Sequence, residues 1–475
     1  MQTNSNGTVA PIIQQHEITF KCNENCKMCY NQERCISHFI PRIEDVKRNL
    51  EINKVSLKKG VMAVCYTGGE PFLMEEHLYE LLYEAKENGS YTSINSNGRL
   101  IYQKSAEKLK ELKLDSALIS IHGVGTLNDK VVNVKGSYKE RLRGIKFLLQ
   151  QGIAVTPNFV ASAQNVHGLV NMGHVLIDLG IKSMTATPFL PSHGSPKHKK
   201  LLLSPEQYRI MFDSILQLRN AGMRIDSTLP IPPCVLVKLF PNDWEKYLEV
   251  HSPRVCMAGK SFGVISPDAM FRSCIQAPYL PEFGGDMLEN YETSWANANT
   301  WADMKLIPQK CIDCPGLSIC GGGCRTGCMW DNDGSPCGTT MYIGDALTNE
   351  QAEVFKKRIS YKATGSYEEL NSVYEIKEGI KLRKESFGTI IFNPQYQSFT
   401  IVKDLLPGDS ILKVTDITTL SILHAIGAIK KSDKTSAKEV STLPGNVLLP
   451  RMAQNFKDPS TYYCLRADTG ERYYC

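Results

Sequence analysis

The sequence predicts an α/β protein: a partial (β/α)6 parallel barrel, then a cysteine-rich domain and a small winged α+β domain. Six short β-branched runs alternate with amphipathic segments between residue 16 and about residue 230. Such repeats build parallel strands joined by right-handed crossovers. Residues 231–345 are instead rich in Pro, Gly and Cys, and a hairpin pattern follows near residue 390.

The barrel strands and helices follow from the apolar pattern. Strands are expected at residues 16–22, 61–66, 91–95, 116–121, 153–160 and 181–189. Helical spacing is shown by Leu78, Leu81, Leu82 and Ala85 before Gly89, and by Leu142, Ile145 and Leu149 before Gly152. Ser204, Pro205 and Gln207 provide an N-cap, an N1 proline and a capping box for a helix ending near 221. In such barrels the chemistry lies in loops after the strands.

The later elements are predicted from composition and turn signals. Residues 231–345 have little periodic apolar sequence, and metal ligation supplies folding free energy to segments of that kind. Residues 387–392 and 396–402, joined at Asn393-Pro394-Gln395, predict a hairpin. A following helix is expected from Ile417, Leu420, Leu423 and Ala425.

Changes in composition set the predicted boundaries. The segments are an N-terminal tail (1–15), the barrel (16–235), the cysteine-rich domain (236–345), a charged helical linker (346–372), the winged domain (373–450) and a C-terminal tail (451–475).

Composition excludes several classes of protein. The chain has 475 residues, 42% of them hydrophobic, which is enough for two or three domains. The net charge of +5 is dispersed, so no nucleic-acid partner is expected, and the basic run 197–200 is read as a solvated loop. The polar start MQTNSNGTVAPIIQQ is no signal peptide, and no run of about 18 apolar residues suggests a membrane span. We therefore expect a cytoplasmic protein.

The sixteen cysteines are clustered, with three between residues 22 and 29 and eight between 256 and 337. Clusters of this kind in a reducing compartment indicate metal ligation. Cys22, Cys26 and Cys29 form CxxxCxxC after the first predicted strand. Three thiolates so spaced fit an iron–sulfur cube with one iron left open, whereas a zinc site would take Cys35 or His38 as its fourth ligand.

A second motif favours the iron–sulfur interpretation. Gly68-Gly69-Glu70-Pro71 follows the second predicted strand. The glycines allow close approach of the backbone to a ligand, and Glu70 offers a carboxylate near an ammonium group. Together the two motifs resemble the radical S-adenosylmethionine superfamily over about the first 220 residues.

The resemblance implies a cofactor site. Cys22, Cys26 and Cys29 would ligate a 4Fe–4S cluster whose open iron chelates the methionine amine and carboxylate of S-adenosylmethionine. The residues implied to contact that cofactor are Met28, Gly68, Gly69, Glu70, Asn95, Asn97 and Ser120. Met28 stands where relatives carry an aromatic residue over the adenine, with Tyr30 on the other side of Cys29. Residues 95–98 are equally compatible with a plain turn.

The second cysteine group is Cys311-x2-Cys314-x5-Cys320-x3-Cys324, with three glycines before Cys324. By ligand count alone a rubredoxin-like or zinc site remains an alternative. The pattern resembles the SPASM extension of radical enzymes, which implies two auxiliary 4Fe–4S clusters. The outer ligands would be Cys311, Cys314, Cys320 and Cys337, and the inner ones Cys256, Cys274 and Cys324, with Cys328 or an open position as the fourth.

Four residues depart from that pattern or receive no role. Ala269 stands where the family has a glycine, and a slightly wider turn would absorb the change. Cys35, Cys65 and Cys234 are assigned no function, and Cys65 is predicted to be a core residue of its apolar strand.

The third motif is residues 379–388, which precede the predicted hairpin. They resemble the precursor-recognition domain of peptide-modifying pathways, such as the small chaperone of pyrroloquinoline-quinone synthesis and its mycofactocin counterpart. The resemblance implies that residues ~380–430 bind a leader peptide as an added strand. A purely structural C-terminal cap is the alternative.

These parts predict a radical S-adenosylmethionine oxidoreductase that modifies a ribosomally made precursor peptide. A 5′-deoxyadenosyl radical would abstract hydrogen, and the product would be a thioether or carbon–carbon crosslink. The cofactor carries the hard step, so no catalytic acid or base is predicted. A reductase or flavodoxin-type protein would donate the electron.

Two other functions stay open. An anaerobic sulfatase-maturating enzyme, which forms formylglycine, shares both cysteine segments but commonly has an acidic residue where Ile275 follows Cys274. A metal-stabilised peptide-binding protein without catalysis is the other. The repeated Tyr-Tyr-Cys at 462–464 and 473–475 is read as a mobile terminus, or as a tail whose Cys464 or Cys475 meets a cluster.

Overall fold

A computed structural model describes most of the chain. The described residues are 8–31, 46–190, 200–248, 255–326, 344–359, 370–441, 464–465 and 472–473, apart from 228, 230, 278, 303–306, 308, 371, 387, 397, 404, 416, 435 and 436. The predictions made for Cys35, His38, residues 197–199, Cys328, Cys337 and Cys475 lie outside the described residues.

One ten-stranded sheet forms the centre of the fold. Its strands are β1 (Ile13–Glu17), β2 (Ala63–Thr67), β3 (Tyr91–Ser96), β4 (Ser116–Ser120), β5 (Ala154–Ala161), β6 (Ser183–Pro188), β7 (Arg224–Asp226), β8 (Phe262–Ile265), β9 (Met270–Arg272) and β10 (Gly284–Asp286). The spatial order is β10-β9-β8-β1-β2-β3-β4-β5-β6-β7. Strands β1 to β8 are parallel, and β9 and β10 are antiparallel. The predicted parallel barrel is confirmed, with additional strands at both edges.

The helices lie between the strands and complete the core. They are α1 (Val46–Lys58), α2 (Glu75–Glu87), α3 (Gln103–Glu111), α4 (Thr126–Val132), α5 (Ser137–Gln150), α6 (Leu169–Asp178), α7 (Pro205–Asn220), α8 (Pro233–Leu239), α9 (Tyr291–Asn299), α10 (Gln309–Ile312), α11 (Leu317–Cys320), α12 (Asn349–Ile359) and α13 (Ile417–Ala425). The apolar stripe predicted for α2 is fully buried. The capping box of α7 is present, since Gln207 N donates to Ser204 Oγ at 3.2 Å. Among the helices that can be described, none is long and apolar enough to cross a membrane.

The first strand begins earlier than predicted. Ile13 pairs with Ala63 on one side and Phe262 on the other, and Ile12 is fully buried. The expected tail at 1–15 was therefore too long, because its apolar pair belongs to the sheet. Residues 18–22, predicted as strand, instead leave the ladder and form the loop that carries the first cysteine group.

Aromatic residues of the cysteine-rich segment extend the core of the barrel. Phe271, Tyr291 and Trp295 are buried in that core, with the Phe271 and Trp295 rings 5.3 Å apart, whereas Phe283 and Trp301 belong to a small separate cluster. Strand β8 joins the barrel sheet directly beside β1. Because aromatic residues bury much area each, few of them order a segment whose periodicity is weak.

The C-terminal unit contains two small sheets. Its strands are β11 (Val373–Ile376), β12 (Lys381–Glu385), β13 (Gly388–Asn393), β14 (Ser398–Val402), β15 (Ile411–Val414), β16 (Ile429–Ser432) and β17 (Lys438–Val440). The sheet orders are β12-β13-β14 and β16-β11-β15-β17. The predicted hairpin is confirmed as β13–β14, and the predicted helix as α13. The two terminal strands, β18 (Cys464–Leu465) and β19 (Arg472–Tyr473), pair antiparallel.

The C-terminal unit packs against the amino end of the barrel. Arg383 donates to Ala10 O and Gly60 O, both at 2.8 Å, and Lys381 Nζ donates to Asn88 O at 2.9 Å. These acceptors precede β1, β2 and β3. The unit therefore lies at the end of the barrel opposite the loops that follow the strands.

Candidate functional site

The loop after β1 carries Cys22, Cys26 and Cys29. The loop is tied to the segment after β2, because Gly69 N donates to Thr19 O at 2.7 Å and Glu70 N to Lys21 O at 2.8 Å. Within the loop, Cys29 N donates to Cys26 O at 3.1 Å, and the side chain of Asn97, which follows β3, lies 4.0 Å from Cys22 Sγ. The structure thus brings the first predicted group together at the carboxyl end of the sheet.

The environment of these thiols disfavours bare thiolates. Burial raises the pKa of the Cys26 thiol well above its usual value, and the charge of Glu24 adds to the shift. Cys22, in contrast, is exposed to solvent. Metal ligation requires thiolates, so a positively charged centre must offset this cost. Asn31 N already donates to Cys29 Sγ at 3.3 Å, as donors do around iron–sulfur ligands.

The two glycines of the next loop have a packing role that the sequence did not reveal. A Cβ on Gly68 would overlap Thr19 O, and one on Gly69 would overlap Lys21 O. Gly68 also has a φ of +145°. The glycines therefore let the cysteine loop lie directly on the β2 loop, whereas the sequence argument assigned them to a ligand.

Glu70 joins the ends of β2 and β3. Its fully buried carboxylate accepts hydrogen bonds from Phe72 N at 3.1 Å, Ser96 Oγ at 2.8 Å and Asn97 N at 2.8 Å. Desolvation raises the pKa of Glu70 to about 7, against the lowering effect of these donors. The carboxylate fixes the backbone beside the cysteine loop, and its contact with a methionine amine stays a prediction.

The other predicted cofactor residues lie around the same edge. Asn97 Nδ2 donates to Asn23 Oδ1 at 2.6 Å and lies 4.0 Å from Cys22 Sγ. Asn95 is half-buried in β3, and Ser120 ends β4. Met28 is buried in a small apolar cluster with residues of α4. The strand ends place Asn95 and Ser120 near the cysteine loop, of which Met28 is itself a part.

Sequence reasoning missed a buried ion pair inside the cysteine loop. Arg141 of α5 donates through Nη2 to both carboxylate oxygens of Glu24, each at 2.6 Å. The Arg141 side chain is fully buried and that of Glu24 is 2% exposed. Arg141 Nη1 also donates to Asn97 O at 3.2 Å and to Ser120 O. One signal was available, because Arg141 lies four residues before Ile145 on the apolar face of α5.

A second buried ion pair connects the two cysteine regions. Glu17, the last residue of β1, is bonded by Arg272 and by Ser266 Oγ, the latter at 3.2 Å. Tyr30 OH donates to the same carboxylate at 3.5 Å. Arg272 Nη1 donates onward to Ile275 O at 2.9 Å. The loop of the first cysteine group is therefore linked through two side chains to the chain around Cys274.

The remaining cysteines of the described chain lie in two places. Cys256 and Cys274 are half-buried and pack against the same small apolar cluster, and their assignment with Cys324 to an inner cluster stays a prediction. Cys311 in α10, Cys314 in the turn that follows it and Cys320 at the end of α11 line one pocket. Cys234, which received no role from the sequence, lines that pocket too.

The remaining observations concern the turn at Ala269 and the cysteine side chains. Ala269 has a φ of +66° in the tight β8–β9 turn, so the turn has not widened as expected.

Cys65 is a buried residue of β2, as predicted. Among cysteines with described side chains, none forms a disulfide. In the same residues, no three Cys, His, Asp or Glu side chains converge as a single metal ion would require.

Comparison with known proteins identifies the barrel. Residues 16–167 match the family model of the Radical SAM superfamily. The chain is 25% identical over 343 residues to an Fe-coproporphyrin III synthase of Methanosarcina barkeri, covering 66% of this chain and 85% of that protein. It is 24% identical over 318 residues to a PqqA peptide cyclase of Granulibacter bethesdensis, covering 65% and 81%.

A solved structure shares the fold. Streptococcus suis SuiB bound to the precursor peptide SuiA superposes with a TM-score of 0.51 at 20% identity, covering 71% of this chain and 76% of that chain. The family implies S-adenosylmethionine and a 4Fe–4S cluster as cofactors. Residues 16–167 are a radical SAM domain, and the protein is an enzyme of the radical SAM class.

Proposed function

We propose that this enzyme modifies a ribosomally made precursor peptide and forms a thioether or carbon–carbon crosslink in it. The observation that carries the proposal is the presence of two further cysteine groups beside the one in the barrel. Glu17 and Arg272 link the barrel group to the chain around Cys274, and the other group lines a pocket of its own. The names of the PqqA peptide cyclase relative and of SuiB with its bound precursor support a peptide as substrate.

In this proposal Cys22, Cys26 and Cys29 hold the 4Fe–4S cluster that binds S-adenosylmethionine. When bound, the two cofactors supply a 5′-deoxyadenosyl radical able to abstract hydrogen from an unactivated carbon. The residues of the chain itself would position the cofactors and shield the radical from solvent. Arg141 holds the cysteine loop through Glu24, and Glu70 fixes Ser96 and Asn97 at its side.

The cofactor contacts and auxiliary clusters belong to the same proposal. Met28, the backbone of Gly68 and Gly69, and the ends of β3 and β4 at Asn95 and Ser120 would line the S-adenosylmethionine. Cys256, Cys274 and Cys324 would hold an inner auxiliary cluster, with Cys328 or an open position as fourth ligand. Cys311, Cys314 and Cys320 would hold an outer cluster. Either cluster could accept the electron left after a new bond forms, and a reductase or flavodoxin-type donor would supply the first electron.

The C-terminal unit would hold the leader peptide between about residues 380 and 430. An extended peptide can add to a free sheet edge, and we assign it to β14 because Lys381 and Arg383 hold β12 against the barrel. That unit lies at the amino end of the barrel, while the radical is formed at the carboxyl end. The leader and the modified residue must therefore be separated by an extended spacer, at about 3.3 Å per residue, that is long enough to pass around the barrel.

The test is anaerobic incubation of the reconstituted enzyme with candidate precursors from short reading frames beside its gene. We expect a core peptide that has lost two hydrogens, and no product when the leader is removed. Cys26→Ala is the control without radical chemistry. A formylglycine product from a sulfatase-type peptide would instead favour the alternative peptide reaction.

A second candidate substrate is a porphyrin, because one relative is an Fe-coproporphyrin III synthase. The same incubation with coproporphyrin III and its iron complex shows whether the substrate is a porphyrin or a peptide. Turnover of the porphyrin with no change in any peptide would overturn the peptide proposal.

A further inference from the structure

Cys234 lies in the pocket of the outer cysteine group, although it is far from that group in sequence. Helix α8 begins with Pro233 and Cys234, and the pocket wall it forms faces α10 and α11. The cysteines that line the pocket are Cys234, Cys311, Cys314 and Cys320. A pocket with four cysteines in its wall has the number of thiol ligands that a complete iron–sulfur cluster takes.

Close backbone packing fixes Cys234 at this place. A Cβ on Gly323, which has a φ of +79°, would lie 2.8 Å from the Pro232 ring. The start of α8 therefore rests on the glycine turn that ends the outer cysteine run. On its other side, Gly344 N donates to Cys234 Sγ at 3.3 Å, and a Cβ at Gly344 would overlap Cys234 O.

The hydrogen bond and the neighbouring charges match those expected around a ligating sulfur. Backbone N–H groups commonly donate to cluster ligands and tune them. The positive charge of Lys310 acts on Cys234, while those of Lys310 and Arg325 act on Cys311. Arg325 is itself held by Gly321 O at 2.7 Å and Gly323 O at 3.1 Å. The pocket thus combines several sulfurs with the exposed cation of Lys310 in its wall and the fixed cation of Arg325 nearby.

We propose that Cys234 is a protein ligand of the outer auxiliary cluster, together with Cys311, Cys314 and Cys320. The inference rests on the proposed function, which places a cluster in this pocket. It replaces Cys337, the fourth ligand that the family resemblance implied. Cys234 belongs to this ligand set because it lines the same pocket as the other three cysteines, although its helix α8 lies outside the segment 311–324 in the sequence.

Cys65 provides a matched control. Like Cys234, it is 9% exposed, and burial raises the pKa of each thiol to about 11. The hydrogen-bonding side chains that act on the Cys65 thiol are Ser93 and Gln15. Cys65→Ala therefore removes an equally buried thiol from the core without touching the pocket.

The test uses the full chain with Cys22, Cys26 and Cys29 all changed to Ala, so that any remaining cluster is auxiliary. After anaerobic reconstitution, iron and sulfide are counted and the reduced protein is examined by EPR and Mössbauer spectroscopy. Adding Cys234→Ala is expected to remove about four iron atoms per chain, whereas adding Cys65→Ala removes none. Cys234→Ser, which keeps a potential oxygen ligand, is expected to shift the signal of one cluster.

The outcomes separate this proposal from the one it rests on. If the triple variant binds no iron, the auxiliary clusters of the proposed function are absent and the role of Cys234 falls with them. If it binds iron and both Cys234 variants keep the same content and spectra, while Cys337→Ala loses a cluster, only the assignment of Cys234 is overturned. Circular dichroism of each apo-variant shows whether it has misfolded. If Cys234→Ala has misfolded, the EPR and Mössbauer spectra of Cys234→Ser decide whether Cys234 is a ligand.

Discussion

Arg141 should determine whether the first cysteine loop keeps its conformation. Changing Arg141 to Met preserves much of the apolar stem but removes both bonds to Glu24 and those to Asn97 O and Ser120 O. Glu24 is then left with Arg99 Nε at 3.7 Å as its remaining described cationic neighbour. Breaking a buried ion pair from one side costs about 3–5 kcal/mol.

We expect the lower end of that range, about 3 kcal/mol, because Arg99 retains part of the compensation. The appropriate assay is hydrogen–deuterium exchange of residues 18–31, since it reports local opening. A change of about 3 kcal/mol corresponds to roughly a hundredfold loss of protection. Peptides from the C-terminal unit provide an internal reference that should not change.

A double-mutant cycle shows whether the ion pair is responsible. Glu24→Gln combined with Arg141→Met should recover part of the loss, because no uncompensated charge remains buried. Lys108→Met is the matched control, since its pair with Glu111 is exposed on both sides and worth at most about 0.5 kcal/mol. Unchanged exchange in the cysteine loop of Arg141→Met would refute the reasoning.

Three further predictions concern a strained turn, the packing of the cysteine loop and a buried histidine. Ala269→Gly should raise stability by about 1 kcal/mol in urea unfolding, because Ala269 holds a φ of +66° that costs an L-residue about that much. Gly69→Ala should abolish iron binding at the first cysteine group in the chain, since its Cβ would overlap Lys21 O; iron content measures this. Stability should fall as pH drops from about 6.5 towards 3, with a contribution from His122 of up to about 1.4 kcal/mol per pH unit. Burial lowers the His122 pKa to about 3, so in that range only the unfolded chain takes up its proton.

Each of these predictions has a control. Ala298→Gly, in helix α9, should destabilise, and a similar loss in Ala269→Gly would contradict the strain argument. Gly408→Ala has no heavy atom within 4 Å of the new Cβ and should bind iron normally. His122→Gln should reduce the acid slope without abolishing it, because burial lowers the pKa of His16 to about 3 as well. An unchanged slope would exclude His122 as a source.

The sequence predicted the parts of the fold that depend on local periodicity. The stripe of α2, the capping box at Ser204 and the β13–β14 hairpin all follow from neighbouring residues, and the structure contains them. It did not predict that β8 joins β1, a pairing between segments about 250 residues apart. Such pairing depends on tertiary packing, which short-range patterns do not encode.

The same distinction between local patterns and long-range contacts applies to the candidate site. Cys22, Cys26 and Cys29 were recognisable from spacing within eight residues. The Glu24–Arg141 pair and the place of Cys234 arise from contacts between distant segments, so their sequence neighbourhoods contain little that marks them. Glycine at 68 and 69 was read correctly as a sign of close approach, but the neighbour is the cysteine loop itself.

The central claim is that the loop of Cys22, Cys26 and Cys29 binds the cluster that cleaves S-adenosylmethionine. The most direct test is 5′-deoxyadenosine formation by the anaerobically reconstituted, reduced full-length enzyme. We predict 5′-deoxyadenosine with the wild-type chain, its absence with Cys26→Ala, and its persistence with Cys65→Ala. Wild-type protein that carries its iron and still forms no 5′-deoxyadenosine, or equal formation by Cys26→Ala, would contradict it.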